Sequence, residues 1–304
     1  MTTQHERELT SGVKIPLVGF GTFLIPDDET GTATENALAA GYRHIDTAEL
    51  YANERGVGEG LRRGLHQAGI ERGDVFITTK LWPQAQGRDK TGAETLRSLD
   101  ESLNRLGVDQ VDLYLIHATF GREQRLEQWA ALAEAYRSGK ARAIGVSNFN
   151  ASHIDELIET GLPVPHANQI ELHPWSQKPE LVAYLKQKGI VPIAYSSLAP
   201  LSTWRTASGH INGKTRHMRV EGEQADSPFK KLAEDYGVSE AQFLLGWGVQ
   251  NGYPVLPKST KPDRIRQNLD IFSFRIDDAD MEYIRSLDRG TGLAWGEIDP
   301  ITHG

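Results

Sequence analysis

Hydrophobic residues along this chain fall into two alternating patterns. Short runs rich in β-branched and aromatic residues, such as Val75-Phe76-Ile77-Thr78-Thr79 and Val111-Asp112-Leu113-Tyr114-Leu115-Ile116, have the length and content of buried strands. Between them lie stretches with apolar residues three and four apart, for example Leu96, Leu99, Leu103 and Leu106, or Leu181, Tyr184 and Leu185, a spacing that lays one apolar stripe along a helix. Strands are predicted at 17–20, 42–46, 75–80, 111–117, 143–147, 167–171, 191–196 and 253–257, and glycines at Gly161 and Gly189 mark helix stops. Ahead of the first strand, Glu8-Leu9-Thr10, Ser11-Gly12 and Val13-Lys14-Ile15 read as a short hairpin. Strands alternating with helices imply a parallel sheet, and eight units close most naturally as a (β/α)8 TIM barrel. The hairpin precedes that barrel, and an extra helix and tail follow it. With no repeat of fixed period and no interdomain linker, residues 1–304 are expected to form one barrel domain.

One stretch breaks the rhythm. Residues 201–227 are rich in Gly, Ser, Thr, Arg and His without a sustained period, and a long irregular segment after a barrel strand reads as a functional loop or mobile lid, with a tolerated surface insertion as the alternative.

Composition narrows the function classes. A chain of 304 residues can bury roughly 75% of its unfolded surface in one core. Its net charge of −8 argues against nucleic acid or an anionic membrane as partner. Cysteine is absent, which excludes disulfides, thiolate metal sites and cysteine nucleophiles. The N-terminal residues lack the apolar core of a signal peptide, and no segment is apolar enough to span a bilayer. The expectation is a soluble cytoplasmic protein, monomeric or weakly dimeric, acting on a small molecule and holding no metal.

Polar side chains at strand ends supply the candidate chemistry. Asp46, Tyr51, Lys80 and His117 lie at or just beyond the ends of three successive strands, which is how a parallel barrel assembles an active site. A free tyrosine, with a pKa near 10, is a poor acid at neutral pH, and a buried ammonium beside it pulls that value down. Lys80 could supply the charge, Asp46 could hold Lys80 in place, and His117 could orient a substrate oxygen. A hydride would have to come from a nicotinamide cofactor, because no side chain can donate one. Singly, each residue has an ordinary structural explanation, such as a turn cap, a packing ring or a core histidine; together they are hard to explain as accidents.

Longer motifs then point to a family. Asp46-Thr47-Ala48-Glu49-Leu50-Tyr51-Ala52-Asn53-Glu54, Lys80-Leu81-Trp82 and Leu113-Tyr114-Leu115-Ile116-His117 closely resemble the aldo-keto reductases. The resemblance continues through Gly145-Val146-Ser147-Asn148-Phe149, Asn168-Gln169, Ala194-Tyr195-Ser196 and Pro257-Lys258-Ser259-Thr260-Lys261-Pro262-Asp263-Arg264, followed by Gln267-Asn268. It implies an NADPH-dependent reductase of aldehydes or ketones with Tyr51 as general acid-base, assisted by Lys80, Asp46 and His117. It implies that Ser147, Asn148 and Gln169 bind the nicotinamide carboxamide, that Tyr195 stacks on the ring, and that Gly21, Thr22, Ser196 and Leu198 contact the cofactor. Lys258, Ser259, Thr260, Arg264, Gln267 and Asn268 match the phosphate-binding segment. Lys258, Lys261, Arg264 and Arg266 form a basic cluster in an acidic chain; Lys261 and Arg266 read as a solvated helix start, while for Lys258, Ser259 and Arg264 the resemblance implies binding of a 2′-phosphate and so NADPH over NADH.

The chain departs from the family around the substrate. Phe23 stands where Trp is common, and Ala118 stands where an aromatic usually follows the histidine, which should widen the pocket unless Phe120 or the tail fills the gap. Trp82 is retained as a pocket residue, and Trp295 is expected to fold back over the site.

Rival readings fare worse. Gly56-Val57-Gly58-Glu59-Gly60 fails the dinucleotide-fold spacing and lies in a helical pattern. Tyr136 with Lys140, and Tyr184 with Lys188, fit a short-chain dehydrogenase pair but lack its glycine-rich first turn. The alternative outside enzymology is an NADPH-binding regulatory or structural protein with little turnover, which the fold alone cannot exclude.

Overall fold

The computed structural model describes residues 5–204, 213–222, 226–295 and 299–302. The hairpin forms first: β1 (Glu6–Glu8) pairs antiparallel with β2 (Lys14–Pro16), and Gly12 turns the chain at φ +80°. Leu9, Val13 and Ile15 point from it into a cluster with Phe76, Leu113, Ala167 and Val191. Those four residues stand at the starts of barrel strands, so the hairpin plugs the end of the barrel where the strands begin.

The chain then alternates between strands and helices. In order come β3 (Phe20–Gly21), α1 (Asp27–Ala40), β4 (His44–Asp46), α2 (Glu54–Ala68) and β5 (Phe76–Leu81). A small ribbon of β6 (Gln84–Ala85) and β7 (Arg88–Asp89) precedes α3 (Gly92–Leu106), β8 (Leu113–Ile116) and α4 (Arg125–Arg137). Next are β9 (Ile144–Ser147), α5 (Ala151–Ile158), β10 (Ala167–Glu171), α6 (Pro179–Gln187) and β11 (Val191–Tyr195). The remaining helices are α7 (Gly213–Gly222), α8 (Pro228–Asp235), α9 (Glu240–Gln250), α10 (Pro262–Leu269) and α11 (Asp278–Ser286). Seven strands form one parallel sheet in the order β11-β10-β9-β8-β5-β4-β3. Val255 closes it, bridging Val18 on one side and Ala194 on the other. The result is a (β/α)8 barrel with an N-terminal hairpin and a C-terminal helix and tail.

The expected strand at 253–257 is therefore present only as this single bridged residue, with Val255 N–H donating to Leu17 and Gly19 N–H donating to Val255. Segment 201–227, expected to be irregular, contains α7; residues 205–212 and 223–225 lie outside the described residues. Its pattern was silent because α7 carries Lys, Arg and His with few apolar positions to set a stripe.

The glycine run at Gly56-Val57-Gly58-Glu59-Gly60 lies inside α2, where it serves packing. A Cβ on Gly56 would stand 2.3 Å from the Asp27 carbonyl, and one on Gly60 2.3 Å from the Gly31 carbonyl. Helices α1 and α2 therefore touch through bare backbone.

His44, fully buried on β4, gives the fold an acid sensitivity. Its ring shares a 3.0 Å hydrogen bond with Thr78 Oγ1, and burial with the nearby Lys80 charge pulls its pKa from 6.5 to about 3. The unfolded chain thus binds a proton that the folded chain refuses. Stability present above pH 6.5 should be lost as pH falls toward 3, at about 1.4 kcal/mol per unit. Urea melts between pH 7 and 5 should show this slope in the unsubstituted protein, and a smaller one in His44→Asn. An equal slope in both proteins would assign the acid sensitivity elsewhere.

Candidate active site

At the ends where the strands finish, successive side chains converge. Asp46 closes β4, Lys80 is the penultimate residue of β5, and His117 follows β8 directly. Tyr51 comes from the short helical turn Glu49–Tyr51 just after β4. That turn is tightly held. Ala52 ends it in the left-handed region at φ +54°, and Asn53, fully buried, donates to the carbonyls of Thr22 and Ile25 while accepting from Thr47 Oγ1. Glu54 accepts from Thr79, Ser102 and Arg105, tying the start of α2 to β5 and α3.

The polar core of the site is a buried ion pair. Lys80 Nζ lies 2.6 Å from Asp46 Oδ1, 2.8 Å from the Thr47 carbonyl oxygen and 3.3 Å from Tyr51 Oη. Gln169 Nε2 donates to the other Asp46 oxygen at 2.7 Å, so both carboxylate oxygens accept hydrogen bonds, as an ionised group does. The Tyr51 ring packs between Phe23 and His117, with centroids 5.1 and 5.5 Å away.

Burial sets the acidity here. It pulls Lys80 down, but Asp46 and Tyr51 more than offset this, and the ammonium ends above its usual range. Tyr51 is pushed up by burial, with Lys80 opposing and Asp46 adding to the rise, and it ends above the ordinary phenol value. The expected lowering by Lys80 is thus outweighed, chiefly by burial of the phenol and further by the Asp46 carboxylate. Tyr51 is held in its protonated, donor form.

A second group lies beside the ion pair. Ser147 Oγ donates to the Gln169 carbonyl, and Asn148 Nδ2 donates to the His117 carbonyl and to Ser147 Oγ. Asn148 itself adopts φ +63°. Tyr195 Oη donates to Asn148 Oδ1 at 2.6 Å and accepts from Trp295 Nε1 at 2.7 Å.

One cavity of about 600 Å³ joins these groups to the basic segment. Gly21, Asp46, Tyr51 and His117 line it, with Ser147, Asn148, Gln169 and Tyr195. Ser196 and Leu198 follow at the start of the long loop. Lys258, Ser259, Thr260, Arg264, Gln267 and Asn268 also line it, as do Phe23 and Trp295. Lys80 stays behind Tyr51 and Asp46. Thr22 is buried, and its hydroxyl donates to the Asp46 carbonyl.

Two residues expected in the substrate pocket sit otherwise. Ala118 is buried and is not on the wall. Trp82 is also off the wall, with its ring edge-on to His117 at 5.6 Å and to Phe120 at 5.9 Å; Phe120 in turn meets Trp295 at 6.0 Å. Trp82, Phe120 and Trp295 thus form an aromatic row beside His117, built from Phe120 and the tail. Thr215 and Met218 of α7 and Trp204 also line the cavity, although no sequence period marked them.

The model of the Aldo/keto reductase family matches residues 18–289. The chain belongs to that family. A morphine 6-dehydrogenase of Pseudomonas putida is 40% identical over 286 residues, covering 94% of this chain and 92% of that protein. A glyoxal reductase of Bacillus subtilis is 37% identical, covering 93% and 92%. Among solved structures, a Bombyx mori aldo-keto reductase in complex with NADP superposes with a TM-score of 0.83 at 32% identity, covering 96% of this chain and 95% of its own. Aldo-keto reductases such as these span nearly the whole of the present chain.

Proposed function

We propose that this aldo-keto reductase reduces aldehydes or ketones to alcohols, using NADPH as hydride source and Tyr51 as proton donor. The observation that carries the reading is the Tyr51–Lys80–Asp46 relay, which opens onto the same cavity as the basic segment. The cavity fits a dinucleotide. Lys258 is largely desolvated, which lowers its pKa, and neither it nor Arg264 forms an ion pair with a described residue. Two such cations on the wall of this cavity suit a phosphorylated ligand.

In this reading Lys258, Ser259, Thr260 and Arg264 hold the 2′-phosphate end, and Gln267 and Asn268 flank it. Ser147, Asn148 and Gln169 orient the carboxamide, and the Tyr195 ring supports one face of the nicotinamide. NADPH, when bound, supplies the hydride to the carbonyl carbon. Tyr51 Oη gives its proton to the carbonyl oxygen, His117 orients that oxygen, and Lys80 stabilises the phenolate left behind. Asp46 keeps Lys80 charged and aimed at Tyr51. Phe23 and Trp295 form the pocket walls, which suits an apolar substituent on the carbonyl.

Mixing the protein with NADPH and a panel of aldehydes and ketones tests the reading. Loss of reduced-cofactor absorbance is expected; tight binding without turnover across the panel would leave a regulatory NADPH binder instead.

Cofactor choice has its own test. Arg264→Ala should raise the Kd for NADPH about 10- to 100-fold, as expected for one charge-assisted phosphate contact, and change NADH binding little. Equal weakening of both would show that Arg264 does not read the 2′-phosphate.

A further inference from the structure

Glu171, the last residue of β10, is a buried carboxylate that the proposed proton transfer does not use. Its partners come largely from the far C-terminus. Oε1 accepts from the backbone N–H of Leu293 at 2.7 Å and of Ala294 at 3.1 Å, and Oε2 accepts from Ala294 at 3.0 Å. His173 Nε2 lies 2.8 Å from Oε1. The tail runs so close that a Cβ on Gly292 would stand 2.5 Å from Oε2, so any larger residue there would have to displace the Glu171 carboxylate.

This contact fixes the residue that follows. Trp295 comes directly after the clamped Ala294, donates to Tyr195 Oη at 2.7 Å, and sets its ring against Phe120. Tyr195 in turn donates to Asn148. A continuous chain thus runs from a barrel strand through the tail backbone to the ring that faces the cavity. The tail is pinned again further on, where Thr119 Oγ1 donates to the Pro300 carbonyl and Asn150 Nδ2 to the Ile301 carbonyl. Those two contacts hold the tail's end; in the stretch immediately before Trp295 the Leu293 side chain packs into the core, and among the described residues Glu171 accepts the backbone hydrogen bonds of Leu293 and Ala294.

We propose that Glu171 is a positioning residue whose carboxylate latches the 292–294 backbone to the barrel rim and so sets Trp295 as a fixed wall of the carbonyl pocket. The latch belongs to the chain whatever its reaction; its effect on carbonyl choice rests on the reductase reading. A latched tryptophan narrows the mouth, so the latch favours small carbonyls over bulky ones.

Hydrogen exchange on the unliganded protein tests the latch directly. In Glu171→Ala, the amides of Leu293 and Ala294 should exchange about tenfold faster or more, while those of β9 and β10 stay protected. Gly292→Ala should do the same from the tail side, without touching the barrel strand. Glu171→Gln keeps an acceptor oxygen and should restore part of the protection. Kinetics then read the consequence. With NADPH, Glu171→Ala should lose at least about fivefold of its preference in kcat/KM for a small aliphatic aldehyde over a bulky aromatic ketone, mostly through KM. Trp295→Phe, which keeps a ring but removes the Nε1 donor, should shift that ratio in the same direction. Unchanged tail exchange in both Glu171→Ala and Gly292→Ala would overturn the latch. Faster exchange with an unaltered preference would overturn its role in carbonyl choice. Absence of turnover in the unsubstituted protein would remove the reductase reading and leave the exchange result to decide the latch alone.

Discussion

Tyr51→Phe should lower kcat for carbonyl reduction by about 10²- to 10⁴-fold, the range for a general acid. The substitution is a narrow probe. Phe keeps the ring that packs against Phe23 and His117, and Lys80 retains Asp46 and the Thr47 carbonyl as partners. Folding and NADPH affinity should therefore change little, and fluorescence titration can verify the latter. Comparable turnover in the variant would assign the proton to another group. The unsubstituted enzyme also carries a pH signature. Burial pushes the Tyr51 pKa above the ordinary phenol value of 10.0, against the opposing pull of Lys80. The donor form is present below that pKa, so reduction should hold through neutral pH and fall only under alkaline conditions. Alcohol oxidation needs the phenolate and should rise over the same range.

Lys80→Met should fail for a different reason and more broadly. Removing the ammonium leaves Asp46 buried with Gln169 as its remaining side-chain donor. Breaking such a pair typically costs about 3–5 kcal/mol of stability. Turnover should also collapse, since Tyr51 loses the one influence that lowers its pKa most. Adding Asp46→Asn to Lys80→Met should recover much of the stability, because no uncompensated charge remains, but not the activity. Denaturant melts and turnover measured on both variants separate these effects. Recovery of activity in the double variant would show that the pair supports the fold and not the chemistry.

Much of this architecture was legible because buried parallel strands are short apolar runs and helices carry a stripe. Asp46, Lys80 and His117 stood out as polar residues where such runs stop. What escaped detection shares one property: it depends on partners distant in sequence. Val255 reads as the middle of a five-residue strand, yet pairing around it shrinks to single bridges on each side. Ala118 left open whether a gap remained or Phe120 or the tail filled it, and the contact of Phe120 with Trp295, more than 170 positions away, is one that no local pattern decides. Glu171 looked like an ordinary strand end until Gly292, Leu293 and Ala294 arrived beside it. Asn53 and Glu54 were visible within a motif, but their work of anchoring the Tyr51 turn becomes apparent only through their bonds to Thr22, Ile25, Thr79 and Arg105.

The thin closure at Val255 has a mechanical meaning. The wall there is a zipper with few teeth, held by Val255, Gly19 and Ala194 and by the Gly21 N–H donating to the Pro257 carbonyl. The residues next along, Leu256 to Ser259, and Gly21 across the gap all face the cavity. A ligand seated there bridges both lips of the seam, so its binding free energy is added where the cylinder has least cohesion of its own. With NADPH at the proposed site, the cofactor is also the barrel's fastener, and thermal resistance should rise with how much of it is bound.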